Sequence, residues 1–267
     1  MSAEQNDSAT APAKISSYAW VIVAASCALL VMQAGIMYSY GVFFKPLAAH
    51  FAWSREATSG AYSVRMLMQG VGALPMGWLA DRFGPARVMA VCGALAGLGL
   101  ILTSRATSLW QLYLAYGVVV GIGLSGTFTI ATATTARWFV KSRGLALGIV
   151  AAGMGLGTFI MVPVAERLVD AFNWSRAIAY FGVAAWLILI PCALLLRHPR
   201  QQTEQTQAAP HVAKGSVKSI EPEAGVSLRV AIRNRTLWML IWAYFLVGFC
   251  VQVVMLHLVN YATDVGI

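Results

Sequence analysis

Gly77-Trp78-Leu79-Ala80-Asp81-Arg82-Phe83-Gly84-Pro85-Ala86-Arg87 joins two long apolar stretches and gathers one acidic and two basic residues into a short run. Gly77 has no side chain, so a neighbouring backbone can come close there. Asp81 and Arg82 mark the point where the chain leaves an apolar environment. Gly84-Pro85 then sets a tight turn, because Gly tolerates positive φ and Pro fixes its own. Arg87 opens the next apolar run. On its own the pattern fits any charged hairpin turn; the length of apolar chain on either side makes it informative.

Outward from this turn, the 267 residues are 59% hydrophobic and only 11% charged. A soluble domain carries about 25% charged residues, so this chain cannot solvate a globular surface and reads as a polytopic membrane protein. A span needs about 20 mostly apolar residues. Seven stretches qualify: 18–44, 56–80, 87–104, 109–136, 143–169, 174–197 and 236–263. Trp20, Trp53, Trp78, Trp110, Trp138, Trp174 and Trp238 fall near their ends, as an interfacial aromatic belt requires. Trp186 and Trp242 lie deeper. Residues 1–17 are polar and contain Glu4 and Asp7, which does not fit a signal peptide.

Charge distribution predicts orientation. With the N-terminus inside, thirteen Lys and Arg fall in inner segments and five in outer loops, and Arg65 lies within a span. The positive-inside rule therefore places the N-terminus in the cytoplasm. The net charge of +9 is topological and does not indicate a nucleic-acid partner. Residues 198–235 are rich in Gln, Glu, Ser, Lys and Pro, too polar to pack, and read as a cytoplasmic linker. The organisation expected is a cytoplasmic tail over 1–17, a six-helix bundle over 18–197, the linker over 198–235 and one further helix over 236–267. Spans three and six are almost wholly apolar and read as peripheral.

The spacing G-x-x-x-D-R-x-G-x-x-R between the second and third apolar segments resembles the signature loop of major facilitator superfamily transporters. That resemblance implies an all-α fold of six plus six helices, with the third and sixth of each half outermost. It also implies that the chain is truncated after its seventh helix, with the missing C-terminal half as a structural partner alongside the lipid bilayer. A gating role follows for Gly77, Asp81, Arg82, Gly84 and Arg87, with Arg137 at the inner end of span four as a basic partner for Asp81.

Chemistry in the spans concentrates in the second. Thr58, Tyr62, Arg65 and Gln69 are four, three and four residues apart, on one helical face. Arg65 lies about 13 Å below Glu56 at 1.5 Å per residue, near mid-membrane, where a charge costs at least ~2.5–3.5 kcal/mol. It is either an anion-binding guanidinium, suited to a carboxylate by its rigid donor fork, or one member of a structural ion pair. Gln33, Arg65, Gln69 and Gln252 fall at the depth where transporters bind substrate. Tyr38, Tyr40, Thr127 and Thr129 offer further hydroxyls. His257 titrates near neutrality and is the candidate for proton coupling, although a packed role fits it as well.

Gly121-Ile122-Gly123-Leu124-Ser125-Gly126 spells G-x-G-x-x-G without a preceding strand, so it reads as close helix packing and not as a dinucleotide site. Gly144, Gly153 and Gly157 begin an antiporter-like spacing that Thr158-Phe159-Ile160 does not continue. Cys27, Cys92, Cys192 and Cys250 stand alone in apolar runs, so neither zinc nor a disulfide framework is indicated, and no cofactor is expected. No nucleophile–base constellation suggests an enzyme.

Gly41-Val-Phe-Phe-Lys45, Phe51-Ala-Trp53-Ser54-Arg55, Arg143-Gly-Leu-Ala-Leu-Gly148 and His257-Leu-Val-Asn-Tyr-Ala-Thr-Asp264-Val-Gly266 together resemble the monocarboxylate porter-like branch, which includes oxalate–formate antiporter-like proteins. This implies movement of small organic anions by alternating access in the inner membrane, often by proton symport. Tyr38 stands where the animal carriers of that branch place a functional lysine, so their coupling residues do not carry over. A carrier of another solute such as a drug or sugar, and a transport-inactive sensor, are the alternative expectations.

Overall fold

The computed structural model describes residues 17–139, 142–196 and 234–264, with the side chains of the last helix described through Cys250. The linker residues 197–233 and the tail 1–16 lie outside the described residues. Seven helical segments account for the described chain. They are α1 (Ser17–Phe51), α2 (Arg55–Phe83), α3 (Pro85–Ser104), α4 (Leu109–Trp138), α5 (Arg143–Phe172), α6 (Trp174–Leu195) and α7 (Arg235–Asp264).

The joints follow from local chemistry. Gly84 alone separates α2 from α3: its φ is 90°, its N–H donates to the Ala80 carbonyl, and Pro85 starts the next helix. Pro is suited to that first position because its missing N–H would have no helical partner. Asp81 and Arg82 therefore lie in the last turn of α2, still helical. The α1–α2 joint is equally short. Pro46 stays inside α1, which runs on to Phe51, beyond the expected end at 44. Ala52, at φ 53°, stops it, and the Ser54 hydroxyl accepts the Ala57 N–H at 3.1 Å to start α2. Asn173, at φ 88°, joins α5 to α6 and accepts the Arg176 N–H at 3.1 Å.

α1 to α6 alternate in direction, and contacts at the two ends show it. At one end Tyr18 donates to the Leu195 carbonyl (2.8 Å), packs its ring 5.5 Å from Trp138, and Arg143 donates to the Ala136 carbonyl (3.2 Å). At the other, Ser175 donates to the Ser104 carbonyl (2.6 Å), Trp174 packs on Phe51, and Tyr113 donates to the Ala57 carbonyl (2.8 Å). α1 packs on α5 and α6, α2 on α4, and α3 on both α4 and α6. The core between them is built from Leu29, Met32, Tyr40, Phe43, Met89, Leu124 and Phe181.

Glycine sets how closely these helices approach. α4 lies between α2 and α3: a Cβ on Gly121 would fall 2.9 Å from the Arg65 carbonyl oxygen, and one on Gly123 would fall 2.9 Å from that of Cys92. The G-x-G-x-x-G run is thus a packing device with faces on two neighbours. Gly153 and Gly157 do the same for α5 against Cys27 and Val31 of α1, whereas a Cβ on Gly144 or Gly148 would meet no neighbouring element within 4 Å among the described residues. A Cβ on Gly77 would likewise meet none, contrary to the close backbone approach expected there. Within α4, Tyr113–Val120 is π-helical.

Among the described residues, five helices are long and apolar enough to cross a membrane: α1, α3, α4, α5 and α6. α2 has the length but not the hydropathy, because its interior holds Arg65 and Gln69 together with Thr58, Ser59, Tyr62, Ser63 and three glycines between 70 and 77. Peripheral placement was expected of α3 and α6, yet α5 is the least enclosed: 22% of its most apolar window is buried, against 50% for α3. α7, described by itself, is apolar over Arg235–Cys250, with Trp242, Phe245 and Phe249 in successive ring contact.

Candidate functional site

The site is built where α1, α2 and α4 meet. Tyr40 on α1 donates to the Thr58 carbonyl of α2 at 2.6 Å, which fixes the register of the two helices. Its ring stacks on Tyr62 of α2 (5.5 Å between centroids) and on Tyr116 of α4 (4.5 Å). One turn beyond Tyr62, the Arg65 guanidinium lies 4.8 Å from the Tyr62 ring centroid, a cation–π contact. Arg65 is wholly buried, at 0% exposure.

Its hydrogen bonding is one-sided. Nη1 donates to Gln69 Oε1 at 2.7 Å, one turn along the same helix. Nε and Nη2 are buried without a partner. These two N–H groups leave one edge of the guanidinium in parallel and form the fork that matches both oxygens of a carboxylate. Leaving a buried donor unpaired costs about 1–3 kcal/mol, and more for a charged group. Among the described residues the ion pair present is Arg137–Asp81, so no described carboxylate neutralises Arg65.

Gln33 belongs to the same level. Ser26, Gln33 and Tyr40 are seven residues apart on one face of α1. Ser26 accepts from Thr135 of α4 at 3.0 Å, and Tyr40 stacks on Tyr116. Gln33 lies between those two contacts with α4. Since α1 and α2 run antiparallel from the Tyr40–Thr58 contact, it falls level with Arg65. It is 2% exposed, and its Oε1 is buried without a partner, as is the Tyr116 hydroxyl. A polar cluster with unfilled donors and acceptors thus occupies the centre of the bundle.

Of the sequence-predicted residues, the structure gathers Arg65, Gln69 and Tyr62 and sets Gln33 at their level. Tyr38 is 44% exposed and lies within electrostatic reach of Tyr62, but it makes none of the ring contacts that Tyr40 makes with Tyr62 and Tyr116. The physical reason is helical phase: two residues turn the side chain by about 200° at 3.6 residues per turn. Tyr116 was not foreseen; the signal for it is a tyrosine immediately before the Gly-rich stretch of α4. The side chains of Gln252 and His257 lie outside the described residues.

At the end of the bundle where α2 and α4 finish, Asp81 Oδ1 and Arg137 Nη2 pair at 2.9 Å. A cavity of about 110 Å³ opens beside them, lined by Gly77, Asp81, Thr129, Thr134 and Arg137. Arg82 packs over the Trp78 ring at 5.4 Å, and Arg87 is exposed on the first turn of α3. Among the described residues, no three His, Cys, Asp or Glu converge as a metal site.

Comparison with known proteins agrees with this architecture. Residues 23–267 match the family described as Major Facilitator Superfamily. Monocarboxylate transporter 11 of Mus musculus is 33% identical over 180 residues, covering 67% of this chain and 40% of that protein. Monocarboxylate transporter 13 of Rattus norvegicus is 33% identical over 189 residues, 71% of this chain and 44% of the relative. Monocarboxylate transporter 12 of Homo sapiens is 29% identical over 217 residues, 79% of this chain and 41% of the relative. The chain thus spans about two fifths of the length of these curated relatives. With that match running through nearly every described helix, and with an all-helical, largely apolar chain, the protein belongs to the Major Facilitator Superfamily, is a multi-pass membrane protein rather than an enzyme, and is similar to the superfamily's monocarboxylate transporters.

Proposed function

We propose that the chain carries the anion-recognising bundle of a secondary transporter for small organic monocarboxylates. The observation that carries this reading is the buried Arg65 fork, with Nη1 held by Gln69 and the carboxylate-matching edge unfilled. The relatives' names, as monocarboxylate transporters, point to the same chemistry. In this proposal Arg65 binds the carboxylate, Tyr62 and Gln69 hold the guanidinium in place, and Gln33 and Tyr116 offer polar atoms to the substrate's other oxygens. Alternating access brings the site to each side in turn, and Asp81–Arg137 is the gate at one end. N-terminal placement in the cytoplasm of an inner membrane and proton coupling through His257 complete the proposal.

The test is to purify Arg65→Gln and Arg65→Lys beside the unaltered chain, and to measure both yield and binding of lactate. A charge-assisted hydrogen bond contributes about 1.5–3 kcal/mol, so Arg65→Gln should bind roughly tenfold to a hundredfold more weakly. Arg65→Lys keeps the charge but not the fork and should fall between. A collapse in yield for Arg65→Gln, through an orphaned carboxylate, would assign Arg65 to a structural ion pair instead. Normal yield with normal lactate affinity would remove both roles.

A further inference from the structure

Two hollows meet at Arg105, on the rim of the bundle away from Asp81. Arg105 caps α3, its N–H donating to the Leu102 and Thr103 carbonyls, and its side chain is exposed. The loop that follows is held by Gln111, whose Oε1 accepts the Thr107 N–H at 2.8 Å. On one side of Arg105 a cleft of about 530 Å³ is lined by His50, Asn173 and Trp174. On the other, a groove of about 230 Å³ is lined by Leu102, Trp110, Leu114 and Val119. Arg105 borders both, and no carboxylate lines either.

We infer that this rim binds an anionic phospholipid, with its headgroup phosphate at Arg105 and an acyl chain in the groove below. Three observations favour that occupant. The first is charge complementarity: Arg105 and His50 are the ionisable groups lining the cleft. The second is length. From Trp110 to Val119 the groove descends at most about 13 Å, the α-helical 1.5 Å per residue being an upper bound for its π-helical part, the scale of one leaflet's hydrocarbon depth, about half of 30 Å. The third is exposure of the walls: Trp110 is 66% exposed, Leu114 52% and Leu102 46%, so the groove opens outward, where lipid surrounds a spanning bundle. Trp110 at its upper end suits the headgroup level. The π-helical stretch Tyr113–Val120 runs along the groove and shifts its side-chain rows out of ordinary α-helical phase. A soluble anion would use the cleft and leave the groove empty, whereas an amphiphile fills both.

The full chain in phosphatidylcholine nanodiscs, with a trace of lipid carrying a photoreactive group in its acyl chain, tests this. An exposed ion pair of this kind is worth up to about 1 kcal/mol. The phosphatidylglycerol probe should therefore label the Leu114–Val119 segment up to about fivefold more than the phosphatidylcholine probe. Arg105→Gln should erase that preference while leaving the melting temperature unchanged. Val119→Trp, which fills the groove, should lower labelling by both probes. Soluble glycerol phosphate should not compete. Equal labelling by the two probes, an unaltered preference in Arg105→Gln, or competition by glycerol phosphate would each overturn the assignment, the last in favour of a soluble-anion site.

Discussion

A single methyl group at Gly121 tests the way α4 is set against α2. A Cβ built there lies 2.8 Å from Met68 Cβ, 2.9 Å from the Arg65 carbonyl oxygen and 3.3 Å from Arg65 Cα. Carbon contacts are comfortable at about 3.5–4.0 Å, so the helices must separate locally by about 0.6 Å. The obstructing atoms include backbone, which cannot rotate away as a side chain can. Overpacking of this kind costs about 1–3 kcal/mol, and the better helix propensity of Ala returns about 1 kcal/mol. Gly121→Ala should therefore lose up to about 2 kcal/mol of stability. Gly148→Ala, on α5 where a Cβ would meet no neighbouring element within 4 Å among the described residues, receives the propensity gain alone and should be stabilised by up to about 1 kcal/mol. The assay is the unfolding midpoint of the purified chain in one detergent, both variants measured side by side. The shift at Gly121 also moves Arg65, so lactate binding should weaken in Gly121→Ala and stay unchanged in Gly148→Ala. Midpoints that move in the same direction by the same amount would refute the close α2–α4 approach.

Asp81 and Arg137 are both well exposed, so their pair should couple by no more than about 1 kcal/mol in a double-mutant cycle of Asp81→Asn and Arg137→Gln; a coupling of several kcal/mol would mean the pair is buried in the membrane-embedded protein. For orientation, a cysteine at Ser216 should resist an impermeant thiol reagent in intact cells while one at Thr107 reacts; the reverse pattern would invert the proposed topology.

Much of the fold was legible because membrane spans demand it. The Gly84-Pro85 joint could be read from two residue types, and the structure makes it a single-residue joint at φ 90°. Arg65 was legible from depth alone, since a charge that far from either end of an apolar segment is expensive wherever it points. What the residues did not disclose was facing. α1 is apolar around most of its circumference, so no stripe distinguished the face of Tyr40 from that of Tyr38; the partner helices make that choice. The apolar stretch expected to end at 44 continues as helix through Pro46 to Phe51, and stops where Ala52 adopts positive φ. Tyr116 was hidden for a related reason. Its value comes from stacking on Tyr40, seventy-six residues away, and nothing local records that contact.

The two arginine sites differ in strength, and the difference bears on the proposed mechanism. Arg65 is fully enclosed, with Tyr62 against its face and one edge unfilled, so a ligand carboxylate there would meet donors already stripped of water. Such a contact is worth far more than the same contact at a surface. Arg137 and Asp81 sit at the end of the bundle, with side chains 45% and 66% exposed. A pair worth up to about 1 kcal/mol shifts a two-state population by about fivefold, since 1.4 kcal/mol is tenfold. That is enough to bias which end is closed and too little to lock it. Asp81→Asn should then change how often the proposed gate opens without touching the lactate affinity set at Arg65. Turnover in vesicles measured beside binding separates the two: a fall in affinity equal to the fall in turnover would place Asp81 in the binding step and end its assignment as a gate.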